Sequence, residues 1–413
     1  MLDVRDERLR PFALEGNFGL EREALRITPE GRMAHTPHPF PGFANIVRDF
    51  CENQTEINTH VHPDAASAVA ELARLDAEMR RALAGRELLW PFSSPPPLGG
   101  DDDIVPASFD GDLSPKGAYR EYLSAKYGRR VMTFCGIHVN FSFGDRLVAA
   151  AGGGRDFGDR LYLHVAEQMT LWGWLLATLT AASPLLDASF FSPAEMGKDA
   201  QTGAASVRCG ELGYWNHFTP VHDFSGVRAY ADSIRDYVRR GFIAAPSELY
   251  FPVRLKPRGA NRLASLVEGG IDRIELRCVD LNPLVGGLVD VRDVAFVQLM
   301  LLWCASRESA ALSAAAQLSA VRNFKNAARF DIDAATILLP DGSTPSVRRA
   351  GLGLLDEIAR FFGDFPDDVR AVVAFERGKL SAGARRYADE VRARFGGTFA
   401  RKGLEWAREV GDV

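Results

Sequence analysis

Two pairs of charged residues could take part in chemistry, because the spacing within each pair places both side chains on one face of a strand. Glu21 and Glu23 stand two residues apart in a strand-like run, so both carboxylates project from the same face. Glu275 and Arg277 share a face of a later strand in the same way. Carboxylates that cluster repel one another unless cations neutralise them, and their hard oxygen atoms suit Mg²⁺ or Mn²⁺. If these carboxylates meet in space they would form a divalent-cation site, but taken singly each pair is better explained as the solvated face of a sheet.

A third carboxylate group, Asp49, Glu52 and Glu56, allows two local structures. A helix would bring Glu52 and Glu56 together through their spacing of four, whereas a strand would align both with Gln54. Either structure would present carboxylates to one side. The sequence alone leaves open whether the three groups meet in space.

A polar strand face provides the strongest candidate among the eight histidines. The segment 136–142 alternates in polarity, with His138, Asn140 and Ser142 on one face and Ile137, Val139 and Phe141 on the other. This alternation is typical of a sheet with one apolar and one polar side. His138 is therefore a candidate inward-facing ligand, although a lone histidine often has only a structural role.

Two arginines are candidates for binding a carboxylate or a phosphate through a planar guanidinium fork. These are Arg208 and Arg277, with a surface salt bridge as the alternative for each. Cys209 and Cys278 each follow one of these arginines, so in strands they would face away from it and serve as packing residues rather than nucleophiles. The sequence has no P-loop motif and no dinucleotide fingerprint. If the protein uses ATP, metal ions and arginines must therefore hold the phosphates.

The composition of the 413 residues is that of an ordinary globular protein, 46% hydrophobic and 25% charged. The net charge of −5 argues against nucleic acid as a partner. Five widely spaced cysteines without a Cys-x-x-Cys pair suit the reducing cytoplasm, and the first residues lack the apolar core of a signal peptide. The longest uncharged stretch, residues 168–186, contains Gly173 and Pro184. We interpret it as a buried helix rather than a membrane span.

Strand-like and helical segments are interspersed without a regular βαβ rhythm, which predicts an α+β fold with a largely antiparallel sheet. Strands are predicted at 18–27, 130–143, 204–214 and 271–279, and helices at 64–83, 161–180, 227–239, 291–305, 347–362 and 382–395. No sharp change of composition divides the chain. We expect one elaborated domain over residues 1–413, with a catalytic core at about 15–330 and a helical C-terminal part at about 331–413.

Nine segments together resemble glutamate–cysteine ligases of the proteobacterial kind and the N-terminal ligase module of bifunctional glutathione-synthesising proteins. They are Gly-Leu-Glu-Arg-Glu at 19–23, Asp-Phe-x-Glu-x-x-x-Glu at 49–56, Trp-Pro-Phe-Ser at 90–93, Tyr-Arg-Glu at 119–121, Gly-Ile-His-Val-Asn-Phe-Ser at 136–142, Ser-x-Arg-x-x-x-Leu-Gly-Tyr at 206–214, Glu-Leu-Tyr-Phe-Pro-Val-Arg at 248–254, Gly-Gly-Ile-Asp-Arg-Ile-Glu-Leu-Arg at 269–277 and Val-Asp-Leu-Asn-Pro at 279–283. The resemblance covers about residues 15–330, in the same order along the chain.

The resemblance implies a glutamine synthetase-like fold, in which an antiparallel sheet curves into a funnel that opens onto the active site. It also implies a reaction, the ATP-dependent joining of the γ-carboxylate of glutamate to the α-amine of cysteine through a γ-glutamyl phosphate. ATP and Mg²⁺, or Mn²⁺ in its place, would take part. The expected partners are small-molecule substrates, in the cytoplasm, without nucleic acid or a membrane.

The resemblance further assigns roles to residues. The implied metal ligands are Glu21, Glu23, Asp49, Glu56, His138 and Glu275. Arg208 and Arg277 correspond to basic residues near the reacting carboxylate and phosphate, and Arg277 is the expected stabiliser of the tetrahedral oxyanion. The implied cysteine pocket comprises Phe50, Tyr119, Leu123, Tyr214 and Tyr250, together with Met132. Met132 stands where the family usually has glutamine, and a thioether in place of an amide leaves a soft apolar wall.

Two further readings stay open at this point. The same activation chemistry could serve a different amine acceptor. A non-catalytic protein could instead bind glutamate or a nucleotide and regulate a partner, although clustered carboxylates without a cation are costly to keep.

Overall fold

A central antiparallel sheet organises the chain. The computed structural model describes residues 2–40, 42–109, 114–308 and 311–411. The strands are β1 Gly16–Ile27, β2 Ile46–Arg48, β3 Gln54–Asn58, β4 Leu88–Leu89, β5 Gly136–Phe143, β6 Val253–Pro257 and β7 Ile271–Asp280. Within the described ranges these seven strands form one sheet in the order β2-β3-β1-β5-β7-β6, with β4 paired to β1. All of these strand pairs are antiparallel.

Helices surround the sheet. They are α1 Ala65–Leu83, α2 Ser114–Tyr127, α3 Asp145–Ala150, α4 Arg155–Trp172, α5 Trp174–Leu179, α6 Val227–Arg239, α7 Leu263–Gly269, α8 Val291–Ser306, α9 Ala314–Ala327, α10 Val347–Phe361, α11 Asp367–Leu380, α12 Tyr387–Phe395 and α13 Phe399–Glu409. Side-chain caps fix several starts, as at α1, where Asp64 accepts a hydrogen bond from the amide of Ser67 at 2.7 Å.

The two faces of the sheet differ in chemistry because apolar and polar residues alternate along its strands. In β5, Ile137, Val139 and Phe141 are fully buried in the hydrophobic core. Helices α1, α4 and α8 pack against the sheet and cover this apolar face. His138 and the other polar residues of β5 therefore project from the opposite face.

A buried ion cluster joins the apolar face of β1 to α1. Arg22 is fully buried and lies 2.5 Å from Asp76, which also accepts from Nε of Arg80 at 2.7 Å. Burial alone would raise the pKa of Asp76, but the two arginines lower it below its usual value. The cluster thereby fixes β1 against a helix directly behind Glu21 and Glu23.

The strand register places functional candidates opposite one another. Glu23 pairs with Glu56 of β3, and Glu21 pairs with His138 of β5. On the other side of β5, Asn140 pairs with Glu275 of β7. Directly opposite residues in antiparallel strands have neighbouring side chains on one face. The register therefore gathers these groups on the polar face.

The predicted α+β class with a largely antiparallel sheet is confirmed, as are the strands predicted at 18–27 and 271–279. The helices predicted at 64–83, 227–239, 291–305 and 347–362 are also confirmed, with ends that differ by one residue at most. The strand predicted at 130–143 begins only at Gly136, after a 3₁₀ turn at Arg130–Thr133. The helix predicted at 382–395 begins only at Tyr387, since Gly383 turns the chain with a φ of 75°.

The strand predicted at 204–214 is wrong. Instead, the segment folds into consecutive turns, in which Cys209 N donates to Ser206 Oγ at 3.0 Å and Gly210 N donates to Ser206 O at 3.0 Å. A Cβ atom on Gly213 would lie 1.8 Å from the carbonyl oxygen of Arg208, so the turn requires glycine there. The residues alternate in polarity as a strand would, but local hydrogen bonds hold them in a compact turn.

The uncharged stretch 168–186 is buried, as expected. It includes the end of α4 and the whole of α5, which are separated at Gly173. A Cβ atom on Gly173 would lie 2.5 Å from the carbonyl oxygen of Met169, so glycine permits the close approach at this break. Among the described residues, no helix combines the length and apolarity that a membrane crossing requires.

A second buried ion cluster joins the C-terminal helices to the core. Lys379 of α11 contacts Asp293 of α8 and lies 2.8 Å from Glu376. Its Nζ also donates to the carbonyl oxygen of Leu179 at 3.2 Å. All three charged side chains are almost completely buried. The ammonium group therefore compensates two carboxylates that water cannot reach.

We predict that Lys379→Met destabilises the protein by about 3–5 kcal/mol, because the substitution leaves buried carboxylates without their cation. The free energy of unfolding, measured by urea denaturation at pH 7, tests this. The control is Lys198→Met, which breaks the exposed pair between Lys198 and Glu195 and should change stability by about 1 kcal/mol or less. Equal small losses for the two variants would contradict the role given to Lys379.

Candidate functional site

One cavity on the polar face of the sheet collects nearly all the candidate residues. Its volume is about 440 Å³. The predicted residues that line it are Glu21, Glu23, Asp49, Phe50, Glu56, Tyr119, Leu123, Met132, His138, Tyr214, Tyr250, Glu275 and Arg277. They come from segments that are far apart in the sequence, and the sheet register brings them together.

Six of these residues form two groups of three potential metal ligands. In the first group, Glu21, His138 and Glu275 offer ligand atoms that all lie within 4.8 Å of one another. Nδ1 of His138 is 2.9 Å from Oε2 of Glu21. Glu21 also accepts a hydrogen bond from Asn140 at 3.0 Å, which orients its carboxylate.

The second group consists of Glu23, Asp49 and Glu56, again with ligand atoms within 4.8 Å of one another. The amide of Gly136 donates to Oε2 of Glu23 at 2.9 Å, and Asn58 donates to Oε1 of Glu56 at 2.7 Å. The two groups adjoin, because Nε2 of His138 lies 3.7 Å from Oε1 of Glu23. Together they make a continuous surface of ligand atoms.

The second group resists full ionisation. Burial, followed by the charge of Asp49, raises the pKa of Glu23 to about 8. Burial also raises the pKa of Glu56 well above its ordinary value, and Asp49 and Glu21 add to the shift. The pKa of Asp49 is raised by burial as well. Such shifts mean that the negative charges lack enough compensation from the chain itself, which a bound cation would supply.

The first group is prepared differently. Burial, with the charge of Arg277, holds the pKa of His138 well below its ordinary value, so the imidazole is neutral and able to ligate a metal. Burial would raise the pKa of Glu275, but Arg277 and Lys256 lower it. Among the described residues, Nε2 of His138 and Oε2 of Glu275 are buried atoms without a hydrogen-bond partner. Buried polar atoms normally have partners, so these two atoms indicate a ligand position.

Basic residues face the carboxylates from two sides. Arg277 lies 3.4 Å from Glu275 and 3.3 Å from Nδ1 of His138, and Lys256 lies 3.1 Å from Glu275. The carboxylates of Glu275, Glu23 and Glu21 raise the pKa of Arg277 although burial opposes this, so the guanidinium stays charged. Positive and negative walls in one cavity suit a ligand that combines phosphate groups with metal ions.

Arg208 is the one predicted site residue that does not line this cavity. Its guanidinium lies against Gly136 at the start of β5, so close that a Cβ atom on Gly136 would be 2.1 Å from its Cζ. It lines a smaller neighbouring cavity of about 40 Å³ that shares Tyr214, Tyr250 and Arg277 with the main one. The charge of Arg208 lowers the pKa of Glu23, against the larger effect of burial. The described positions thus put Arg208 beside the carboxylates rather than in the main cavity.

The cysteines behave as packing residues. All five are free and buried. Burial raises the pKa of the Cys209 thiol to about 12, and burial also raises the pKa of the Cys278 thiol. Thiols that stay protonated are poor nucleophiles. The interpretation of Cys209 and Cys278 as packing residues rather than nucleophiles agrees with these pKa directions. The argument from strand alternation is wrong for Cys209, because this residue lies in a turn with its Sγ 4.0 Å from Nη1 of Arg208.

Several cavity residues were missing from the sequence-based candidates. They are Val47, Arg48, Lys116, Arg120, Ser247, Arg254 and Lys256. Two signals could have found most of the cations. Arg254 and Lys256 alternate with Val253 and Leu255 in β6, as polar residues of a half-buried strand do. In α2, Lys116, Arg120 and Leu123 follow the spacing of one helix face.

Aromatic side chains form the remaining wall. The rings of Tyr214 and Tyr250 lie 4.0 Å apart between centroids, and Tyr119 of α2 also faces the cavity. Met132 is almost completely buried and contributes its thioether to the lining. Burial, with the neighbouring hydroxyl of Tyr214, raises the pKa of Tyr250, so its hydroxyl stays protonated. This part of the cavity can therefore hold a small molecule with an apolar portion and a polar group.

Known proteins of one family resemble the chain. The sequence profile of the glutamate–cysteine ligase family matches residues 2–244 and 218–327. The glutathione biosynthesis bifunctional protein of Listeria innocua is 34% identical over 95% of this chain and 54% of its own length. The protein of the same description from Enterococcus faecalis is 32% identical over 74% of this chain and 42% of its own length. The chain spans about half the length of the curated relatives it matches.

Solved structures share the fold. The glutamate–cysteine ligase of Francisella tularensis, in complex with AMP, has a TM-score of 0.86 at 23% identity, covering 96% of this chain and 88% of that one. A bifunctional glutathione synthetase from Pasteurella multocida has a TM-score of 0.84 at 24% identity, covering 99% of this chain and 54% of that one. At these identities the likeness establishes a common fold.

We predict that Glu56→Gln stabilises the protein in the presence of a chelator by about 1–2 kcal/mol, because it removes one of several mutually repelling buried carboxylates. The same substitution should weaken Mn²⁺ binding by more than about tenfold, the loss expected from disturbing even a supporting residue of a metal site. Urea denaturation and calorimetric titration with Mn²⁺ measure the two effects.

The matched control is Glu52→Gln, four residues earlier. Glu52 does not line the cavity and pairs with Arg48 at 2.8 Å. This variant should lose stability and keep its Mn²⁺ affinity. A loss of stability for Glu56→Gln with unchanged Mn²⁺ binding would contradict the assignment of a ligand cluster.

Proposed function

The chain belongs to the glutamate–cysteine ligase family, and from this premise we propose that it joins the γ-carboxylate of L-glutamate to the α-amine of L-cysteine in an ATP-dependent reaction. The observation that carries the proposal is the convergence of six potential metal ligands and Arg277 in one cavity. A carboxylate must be activated before an amine can attack it, and phosphorylation by ATP provides that activation. The proposed intermediate is γ-glutamyl phosphate.

The donor set fits divalent cations such as Mg²⁺ or Mn²⁺. Five carboxylates and one neutral imidazole offer mostly hard oxygen ligands, and unpartnered buried atoms occur on His138 and Glu275. Glu21, His138 and Glu275 would hold one ion, and Glu23, Asp49 and Glu56 another. When bound, such ions offset the negative charge of phosphate oxygens.

The reaction has two steps whose atoms balance. The γ-phosphoryl group of ATP passes to an oxygen of the glutamate γ-carboxylate, and ADP is released. The amine nitrogen of cysteine then attacks the acyl carbon, the bond from this carbon to the phosphate oxygen breaks, and inorganic phosphate leaves while the amine gives a proton to solvent. Arg277, charged and fixed beside Glu275 and His138, is in position to stabilise the oxyanion of the tetrahedral adduct.

The aromatic wall would receive the amine. Tyr119, Tyr214 and Tyr250 are joined there by Phe50, Leu123 and Met132. The hydroxyl of Tyr250, at the cavity wall beside that of Tyr214, can hydrogen-bond a polar group of the bound amino acid. Apolar side chains around this position also exclude water, which would otherwise hydrolyse the acyl phosphate.

The five free cysteines are consistent with a reducing compartment such as the cytoplasm.

Incubation with L-glutamate, L-cysteine, ATP and Mg²⁺ tests the proposal. We expect mass spectrometry to detect γ-glutamylcysteine, with one ADP released for each product molecule. Arg277→Lys should lower kcat by about 100-fold, since an ammonium group does not reproduce the guanidinium fork. The control is Arg239→Lys on α6, whose exposed side chain pairs with Asp236 and does not line the cavity. This variant should keep most of the activity. ADP release without a γ-glutamyl product would reject the proposed reaction.

The second candidate function is the same reaction with a different amine acceptor. Met132 is the observation that favours it, because the family usually has glutamine at this position of the wall. If cysteine is the acceptor, its kcat/KM should exceed that of serine by at least about tenfold. The thioether of Met132 gives the serine hydroxyl no hydrogen-bond partner at this position. The ratio of kcat/KM for the two amino acids measures this preference.

Substitutions at Met132 make the test sharper. Met132→Gln should lower the ratio of kcat/KM for cysteine to kcat/KM for serine, because the amide gives the serine hydroxyl a hydrogen-bond partner. Met132→Leu keeps an apolar wall and should leave this ratio unchanged. Turnover of cysteine no faster than that of alanine would reject cysteine as the acceptor and leave another amine as the substrate.

A further inference from the structure

A fully buried carboxylate lies next to the aromatic wall but outside the cavity. Glu248 has no exposed surface. Its Oε1 accepts hydrogen bonds from Tyr127 at 2.7 Å and from Lys126, and its Oε2 accepts from the amide of Ala244 at 2.6 Å. Burying a carboxylate is costly unless such partners compensate it. Tyr122 also donates to Oε1 at 3.4 Å. Three of the donors therefore come from α2, and the carboxylate joins this helix to the 244–250 segment.

Tyr127 extends the connection to a third segment. Burial and the hydrogen bond to Glu248 raise the pKa of Tyr127 to about 12, so its hydroxyl stays protonated and donates to Glu248. The same hydroxyl accepts a hydrogen bond from Nδ2 of Asn216 at 2.9 Å. Asn216 in turn donates to the carbonyl oxygen of Glu248 at 2.8 Å and accepts from the amide of Tyr250 at 2.8 Å. We call Lys126, Tyr127, Asn216 and Glu248 the wall network.

The wall network ties together the three segments that supply the aromatic wall. Tyr119 comes from α2, Tyr214 from the turn before Asn216, and Tyr250 from the segment after Glu248. The ring of Tyr127 also packs edge-on against that of Tyr250, with 5.3 Å between centroids. Members of the network touch the wall residues from behind and do not line the cavity themselves.

Helix α2 depends mainly on polar contacts, which are this network and the hydrogen bond from Arg120 to the carbonyl oxygen of Asp49 at 2.7 Å. Of its described residues, only Leu123 is fully buried. An amphipathic helix normally gains its position from a broad apolar face. In α2, the ion pair and the hydrogen bonds to Glu248 take over much of the positioning that such an apolar face normally provides. The location of Tyr119 and Leu123 relative to Tyr214 and Tyr250 is therefore set by polar contacts.

We infer that Glu248 is a positioning residue that sets the shape of the amine pocket by holding α2 against the turns that carry Tyr214 and Tyr250. The inference rests on the proposed function, since it assigns the aromatic wall to the amine substrate. It predicts a selective effect. Loosening the network should weaken use of the amine while leaving the metal ligands and the ATP and glutamate positions intact.

The variant Tyr127→Phe tests this with little risk to folding, because it removes one hydroxyl and keeps the ring. Its KM for the amine should rise by about tenfold, as for a lost hydrogen bond next to a buried charge, while KM for glutamate and ATP changes by less than about twofold. Glu248→Gln should act in the same direction and more strongly. If that variant does not fold, Tyr127→Phe decides alone.

The matched control is Tyr162→Phe on α4. Tyr162 is also a buried tyrosine, and its hydroxyl accepts a hydrogen bond from the amide of Phe143 at 3.1 Å on the apolar side of the sheet. It should lose stability without a change in KM for the amine. If Tyr127→Phe behaves in the same way, Glu248 has only a structural role and the inference is overturned.

Hydrogen–deuterium exchange provides a readout that is independent of turnover. In Tyr127→Phe, exchange should rise in Ser114–Tyr127 and in residues 244–250 and stay unchanged in β1, β5 and β7. If the wild type joins glutamate to no amine at all, the proposed function fails, and exchange still decides whether the network holds the wall. Unchanged exchange in α2 would overturn the inference whatever the kinetics.

Discussion

The cost of concentrating negative charge in one cavity governs this structure. Five carboxylates and a buried imidazole share a volume in which the raised pKa values of Glu23, Asp49 and Glu56 express both burial and mutual repulsion. Arg277 and Lys256 compensate Glu275, but their charges do not suffice for the second group. A fold that keeps such a cluster must hold each side chain from outside the cluster, since its members push one another apart.

The antiparallel ladder meets this requirement. Cross-strand pairing sets Glu23 opposite Glu56 and Glu21 opposite His138, so backbone hydrogen bonds between strands maintain the ligand spacing. Behind the ligands, the apolar residues of the same strands pack into the core, and Arg22 binds Asp76 of α1. A slip of one residue in register would turn the carboxylates into the core. Burial of the apolar residues and the pairing of Arg22 with Asp76 on the same face therefore specify the register that assembles the site.

The sequence predicted correctly on which face of a strand each candidate lies, but it did not predict which candidates lie close together. Period-two alternation identified the polar sides of β1, β5 and β7, and with them Glu21, His138 and Glu275. Register depends on pairings between residues that are distant in the sequence, such as Glu21 with His138 and Glu23 with Glu56. Local patterns do not contain these pairings, so convergence of the ligands needed the family resemblance or the structure. The same reasoning failed at 204–214, where Ser206 and two glycines form turns. Arg208 consequently lies against Gly136, beside the cavity and not within it.

The two halves of the cavity are therefore held by different forces. Strand pairing and a packed core hold the ligand cluster, whereas α2, with Leu123 as its only fully buried described residue, is held by polar contacts to Glu248 and Asn216. A substitution in the aromatic wall, such as a thioether at position 132, changes the lining of one half without disturbing the ladder that fixes the other. The two supports meet where Arg120 of α2 donates to the carbonyl oxygen of Asp49 at 2.7 Å. In the proposed reaction, the acceptor pocket can therefore differ through changes around α2 and the turns that face it, provided that this link and the strand register are kept.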